Sequence, residues 1–174
     1  PSMTIALFYR GHWWPFCRRL LAGYEERRAA FLSEGVSIVA GTVDTQEQTA
    51  EVSKDLGFPV AYGMSRTDGD AIGSWWEEHR DHIQPSEFVI TKSGKVVMST
   101  YSNSPIGRMD PAEALTLIRY LNAQRTDKGK SWSLTPSKWE STFEQKYKPW
   151  ASIFLAPMTI GELSRNYRQL RRRG

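Results

Sequence analysis

The chain opens on an apolar run, Met3–Tyr9 (MTIALFY), that stops at Arg10-Gly11. An unbroken apolar stretch closed by a turn signal predicts a strand buried on both faces. From Pro15 the period changes. Phe16, Leu20, Tyr24 and Phe31 fall on one face, with Arg18, Arg19, Glu25, Arg27 and Arg28 largely elsewhere, which predicts one amphipathic helix ended by Gly35. Pro15 suits its first turn, where a missing N–H costs no intrahelical bond.

Val36–Val43 (VSIVAGTV) reads as a second buried strand, and Asp44 or Thr45 as the cap of a helix through Leu56, stopped by Gly57. Phe58-Pro59-Val60 leads into a short third strand near Tyr62. A polar turn around Arg66–Asp70 precedes a short helix expected to contain Trp75 and Trp76. In IQPSEFVITKSGKVVMSTYS two strands are predicted, Glu87–Thr91 and Lys95–Tyr101, joined at Lys92-Ser93-Gly94. Asp110-Pro111 opens a last core helix through Leu121.

The order βαβα, βα, hairpin and closing α implies an α/β fold. A parallel sheet with right-handed crossovers gains an antiparallel edge, giving a mixed sheet of about five strands flanked by helices. The 174 residues suit one such domain, 1–124, with an appendage, 125–174.

Charge separates the two parts. Residues 125–174 carry eleven Lys/Arg against four Asp/Glu, a net of +7, and residues 1–124 carry twelve against fifteen, a net of −3. The tail also holds Trp132, Trp139, Phe143, Tyr147, Trp150 and Phe154. Helices are expected from Thr135-Pro136 through Lys146 and from Thr159 through Arg171. Aromatic residues at such spacing favour docking, on the chain's own core or on a second copy, over base stacking. A homodimer is therefore expected and nucleic acid is not.

No apolar run approaches a membrane span, and PSMTIALFY has no charged region ahead of its apolar run, so neither a membrane nor a signal peptide is expected. One cysteine precludes an intrachain disulfide framework and makes a reducing, cytoplasmic location the default. Three histidines and that cysteine are too scattered to predict a metal site, and no cofactor is implied.

The chemistry concentrates in Tyr9-Arg10-Gly11-His12-Trp13-Trp14-Pro15-Phe16-Cys17, at the junction of the first strand and first helix. This segment resembles the YRGxWCPxC segment of the peroxiredoxin-like (alkyl hydroperoxide reductase and thiol-specific antioxidant) branch of the thioredoxin-fold superfamily, matching at Tyr9, Arg10, Gly11, Trp13, Pro15 and Cys17. Val43-Asp44, the Gln84-Pro85-Ser86-Glu87-Phe88 segment and the Lys92–Val96 hairpin extend the resemblance over roughly residues 3–123. It implies a thioredoxin-like fold, oxidoreductase activity on peroxide or disulfide, and a thiol reductant or redox partner protein.

In that branch the first cysteine of the segment is the nucleophile, and its position here is Trp14, whose indole cannot take the role. The threonine that peroxiredoxins place three residues earlier is Gly11, and the arginine expected before the hairpin is replaced by Gln84-Pro85. Weakened or absent turnover is expected, and Arg10 is the one candidate substitute for that arginine.

Cys17 has two readings. At a helix N-terminus beside Arg18 and Arg19 its thiolate is favoured and it reacts with peroxide alone. In the family's second-cysteine place it is a shielded small hydrophobe. His12 is a proton donor to the site or an exposed loop histidine. Trp13 and Trp14 form a surface for a hydrophobic ligand or partner, or Trp13 enters the core while Trp14 fills the vacated pocket. Pro85 resembles the proline that is cis in thioredoxin-like folds, which implies a Gln84 backbone free to pair with an extended substrate; a trans Pro85 instead merely starts an edge strand. A catalytically silent thioredoxin-fold protein, binding a partner or small ligand over Trp13–Trp14, is the alternative to the enzyme.

Overall fold

A computed structural model describes residues 1–126, the side chains of Arg125 and Thr126 excepted. The tail helices and the dimer contact expected around Trp132–Phe154 lie outside the described residues. The first half of the chain contains β1 (Met3–Tyr9), α1 (Pro15–Glu26), α2 (Arg28–Ser33), β2 (Val36–Thr42), α3 (Gln46–Ser53) and β3 (Val60–Ala61). Then follow α4 (Arg66–Ile72), β4 (Trp76–Glu77), β5 (His82–Ile83), β6 (Ser86–Thr91), β7 (Val96–Tyr101) and α5 (Pro111–Thr126).

The main sheet is ordered β3-β2-β1-β6-β7. β1 lies in the middle, parallel to β2 from Met3↔Val36 to Tyr9↔Thr42 and antiparallel to β6. Every β1 residue is buried, as a strand covered on both faces must be. The fold is thioredoxin-like α/β, with β1 and β2 parallel and central as their unbroken apolar runs predict.

The alternation of β1 side chains sorts the core. Ile5, Leu7 and Tyr9 face a cluster that includes Cys17, Leu21, Tyr24, Phe31 and Ile118. Ala6 and Phe8 face the opposite cluster, with Met64, Ile72, Ile83 and Phe88. Tyr9 and Arg10, leaving the same strand end, are thus aimed at different surroundings.

The single helix expected from Pro15 to Gly35 is two. At Arg27 the backbone turns out of helical geometry (φ −101°, ψ 5°), and Phe31 of α2 then packs on Tyr24 of α1 at 5.6 Å between ring centroids. Apolar periodicity does not register the break, because both pieces keep their apolar residues toward the core. α3 ends at Ser53 rather than Leu56 and is capped by Thr45, whose side chain accepts from Gln48 N while Gln48 Oε1 accepts from Thr45 N.

The polar turn expected around Arg66–Asp70 is helix α4, and the helix expected around Trp75 and Trp76 is also corrected. α4 stops at Gly73, a left-handed C-cap at φ 71°, and Trp76 enters a separate two-stranded ribbon of β4 and β5. Trp76 packs over α4 at Gly69, where an added Cβ would lie 3.1 Å from its ring. No described helix is long and apolar enough to cross a membrane.

Candidate active site

The parallel register that sets Tyr9 beside Thr42 also brings the turn after β2 against the turn after β1. Buried Asp44 accepts there from His12 N (2.7 Å) and Thr42 Oγ1 (2.9 Å), and its Oδ1 lies 3.0 Å from His12 Nδ1. His12 is therefore neither an exposed loop residue nor aimed at the thiol: it ties the loop to β2. The chain passes so close at Gly11 that an added Cβ would lie 2.5 Å from Trp13 Nε1 and 3.0 Å from Asp44 Oδ1. Gly11→Thr, which would supply the peroxiredoxin threonine, is expected to cost about 1–3 kcal/mol in chemical denaturation. An unchanged midpoint would mean that the loop is not packed as described.

Arg10, 3% exposed, leaves β1 toward β5. Its Nε donates to His82 Nε2 at 2.9 Å, and its guanidinium lies 4.9 Å from the Trp14 ring centroid and 5.5 Å from that of Trp13. Because His82 Nε2 accepts, the proton of the neutral ring sits on Nδ1, which faces the Arg80 carbonyl at 3.3 Å. Burial holds the His82 pKa below the usual imidazole value, and the nearby Arg10 charge adds to the effect. Burial likewise lowers that of Arg10.

Trp14 is the N-cap residue of α1 and packs against the cluster containing Cys17. Its Nε1 donates to the Pro105 carbonyl at 2.9 Å. Trp14 thus fills a pocket, as one reading of the sequence has it, but Trp13 does not enter the core: it is 45% exposed and packs edge-on to Trp14 and His82.

Cys17 sits in the first turn of α1 with no exposed surface. Arg108 reaches it from the segment between β7 and α5, placing Nη2 at 3.2 Å from Sγ. The same segment is held by Trp14 at Pro105 and by Glu87 Oε2, which accepts from Met109 N at 2.8 Å. It closes over Cys17 through its own Arg108 and through side chains from the N-cap of α1 and from β6.

Glu87, on β6 opposite Leu7, is buried in the core. Burial raises its pKa to about 7, against the lowering effects of the Met109 N–H and of Arg108. Tyr24 and Tyr9, also buried, have phenol pKa values pushed well above the usual range by burial first and nearby carboxylates second.

Gln84 and Pro85 differ from expectation. The bond before Pro85 is trans. The Gln84 N–H is already given to the Trp75 carbonyl at 2.7 Å, and the Pro85 carbonyl accepts from Ser102 N at 3.0 Å. Trp75 and the residue after β7 take up this backbone, so it does not offer an extended substrate a free edge here.

The structure thus gathers Arg10, Trp13, Trp14 and Cys17 at the strand–helix junction and adds His82, Arg108, Asp44 and Glu87. Glu87 carried a signal, a lone carboxylate ahead of Phe88-Val89-Ile90, and Asp44 was visible as a cap candidate. Arg108 carried none.

The sequence profile of the AhpC/TSA family matches residues 2–99. The chain belongs to that family. No curated protein matches it significantly. Among solved structures it is similar to the reduced 2-Cys peroxiredoxin of Plasmodium vivax, with 14% identity and TM-score 0.62 over 71% of this chain and 79% of that one. It is similar too to a cysteine-to-serine mutant of the peroxiredoxin 6 of Arenicola marina, at 17% identity and TM-score 0.65 over 81% and 76%. Enterococcus faecalis AhpC matches at 14% and 0.61 over 74% and 80%. At such identities these neighbours establish the fold. The profile ends at Ser99, before Arg108, so the contact to Cys17 comes from outside the matched segment.

Proposed function

We propose that this AhpC/TSA-family chain is a peroxiredoxin-like thiol oxidoreductase of low turnover, with Cys17 as its reacting thiol. The observation that carries the reading is the Arg108 guanidinium at 3.2 Å from Cys17 Sγ, a cation where negative charge develops on sulfur. The Cys17 thiolate attacks the outer oxygen of a hydroperoxide. The O–O bond breaks, Cys17 becomes the sulfenic acid, and the alkoxide leaves as an alcohol after taking a proton. An external thiol then displaces water to form a mixed disulfide, and a second thiol releases Cys17 with formation of the external disulfide.

Turnover is slow because Cys17 has no exposed surface and the segment holding Arg108 must move first. Three expectations accompany this reading: a homodimer from the aromatic tail, a cytoplasmic setting from the lone cysteine, and a thiol reductant or redox partner protein from the resemblance.

A second reading has its own support. Trp14 occupies the nucleophile position under the Arg10 guanidinium, with Trp13 exposed beside it, which suits a silent protein that binds a partner there. Dimedone trapping after peroxide treatment separates the two. The enzyme reading expects sulfenic acid at Cys17 in native protein, with slow peroxide loss abolished by Cys17→Ser. A native chain that resists dimedone and alkylation until it unfolds would favour the silent protein.

A further inference from the structure

A cleft of about 390 Å³ opens between α1 and the Ile106–Pro111 segment leading into α5. That lies within the span of small-molecule sites, roughly 300–1,000 Å³. One wall is apolar, formed by Phe16, Leu20, Ile106 and Met109. Arg19, Arg27 and Arg108 line it against a single carboxylate, Asp110. The positive excess is local, since residues 1–124 as a whole carry a net of −3.

These cations are poorly matched within the chain. Among the described residues no carboxylate lies within ion-pair distance of Arg19 or Arg108. Arg19 stacks at 5.0 Å on the Phe16 ring, and the buried Arg108 Nε has no acceptor among the described residues. Arg27 donates to the Gly23 carbonyl at 3.3 Å, and its one carboxylate contact among the described residues is an exposed one to Glu26 at 3.4 Å, a kind of pair worth little. Asp110 is committed to α5, where its Oδ1 accepts from Ala112 N (2.7 Å) and Glu113 N (3.3 Å).

We propose that this cleft binds a small organic carboxylate with an apolar body. The head is held by Arg19, Arg27 and Arg108, and the body lies on Phe16, Leu20 and Ile106. A guanidinium fork matches a carboxylate in shape as well as charge, and an unpaired buried donor is costly. The chain's own segment 125–174, at a net of +7, has the wrong sign for the site. Arg108 links cleft to thiol, yet binding here does not require Cys17 to react.

The test is calorimetric titration of the full chain with decanoate, decyltrimethylammonium and inorganic phosphate at fixed ionic strength. Decanoate should bind saturably, and the other two at least about tenfold more weakly. Arg19→Gln with Arg27→Gln should weaken decanoate about tenfold or more at an unchanged melting temperature. Asp110→Asn, which keeps the cap, should tighten it about two- to fivefold. Cys17→Ser should bind decanoate like the parent, which separates this result from the redox reading. The proposal is overturned by absent decanoate binding, by a cation or free phosphate binding equally well, or by indifference to the arginine variants.

Discussion

Trp14→Cys is expected to raise hydroperoxide reduction at least about 10²-fold over the parent chain with a dithiol reductant. The introduced sulfur sits at the N-cap of α1, where amide N–H groups and the helix dipole favour an anion. The guanidinium that lies 4.9 Å from the Trp14 ring is then available to it. Oxidised by peroxide, this thiol becomes a sulfenic acid, and Cys17, three residues on, condenses with it to a disulfide and water. The dithiol restores both.

Removing a half-buried indole, with its bond to Pro105, should cost about 1–3 kcal/mol, so a lower melting temperature accompanies the gain. Trp14→Ala is the control. If alanine raises turnover equally, the effect is access to Cys17 and not a new nucleophile. If cysteine gives no gain, the strand–helix junction does not hold a usable redox geometry.

The elements that depend on local pattern were legible. β1 and β2 are apolar runs that only a doubly covered strand explains, and the β6–β7 hairpin follows from alternation around Lys92-Ser93-Gly94. The junction of β1 and α1, and the residues it exposes to chemistry, followed from the change of period at Pro15.

What escaped depends on contacts distant in sequence. Arg108 meets Cys17 across ninety-one positions and His82 meets Arg10 across seventy-two, and no periodicity encodes either. The engagement of Gln84 by the Trp75 carbonyl depends on the β4–β5 ribbon, where the pattern around Trp75 and Trp76 predicts helix. Two tryptophans after a polar stretch suit either state, and Gly73 decides it by taking a left-handed conformation that α4 cannot continue through.

Glu87→Gln is expected to stabilise the chain by about 1–3 kcal/mol at pH 8 and to leave it nearly unchanged below pH 4.5. The carboxyl is 1% exposed, and its pKa moves from 4.5 to about 7 because burial disfavours its charged form. Between those values the folded state holds a proton that the unfolded chain has released. Stability from this group is therefore full below about 4.5 and falls as pH rises through about 7, by on the order of 3 kcal/mol in all. Glutamine keeps an acceptor for Met109 N without the charge, so the variant should lose that slope.

His82 acts with the opposite sign. Its pKa lies below the usual imidazole value of about 6.5, so its contribution is present above about 6.5 and is lost as pH falls below that value. The two slopes oppose each other in the parent below pH 6.5, and a single melting curve against pH would conceal both. Subtracting parent from variant at each pH isolates Glu87. Urea denaturation of the two chains from pH 4.5 to 8 should show a difference that widens up to about pH 7 and then levels off. A difference constant across that range would mean that Glu87 titrates alike in the folded and unfolded chains, and that it is not buried against Met109 as described.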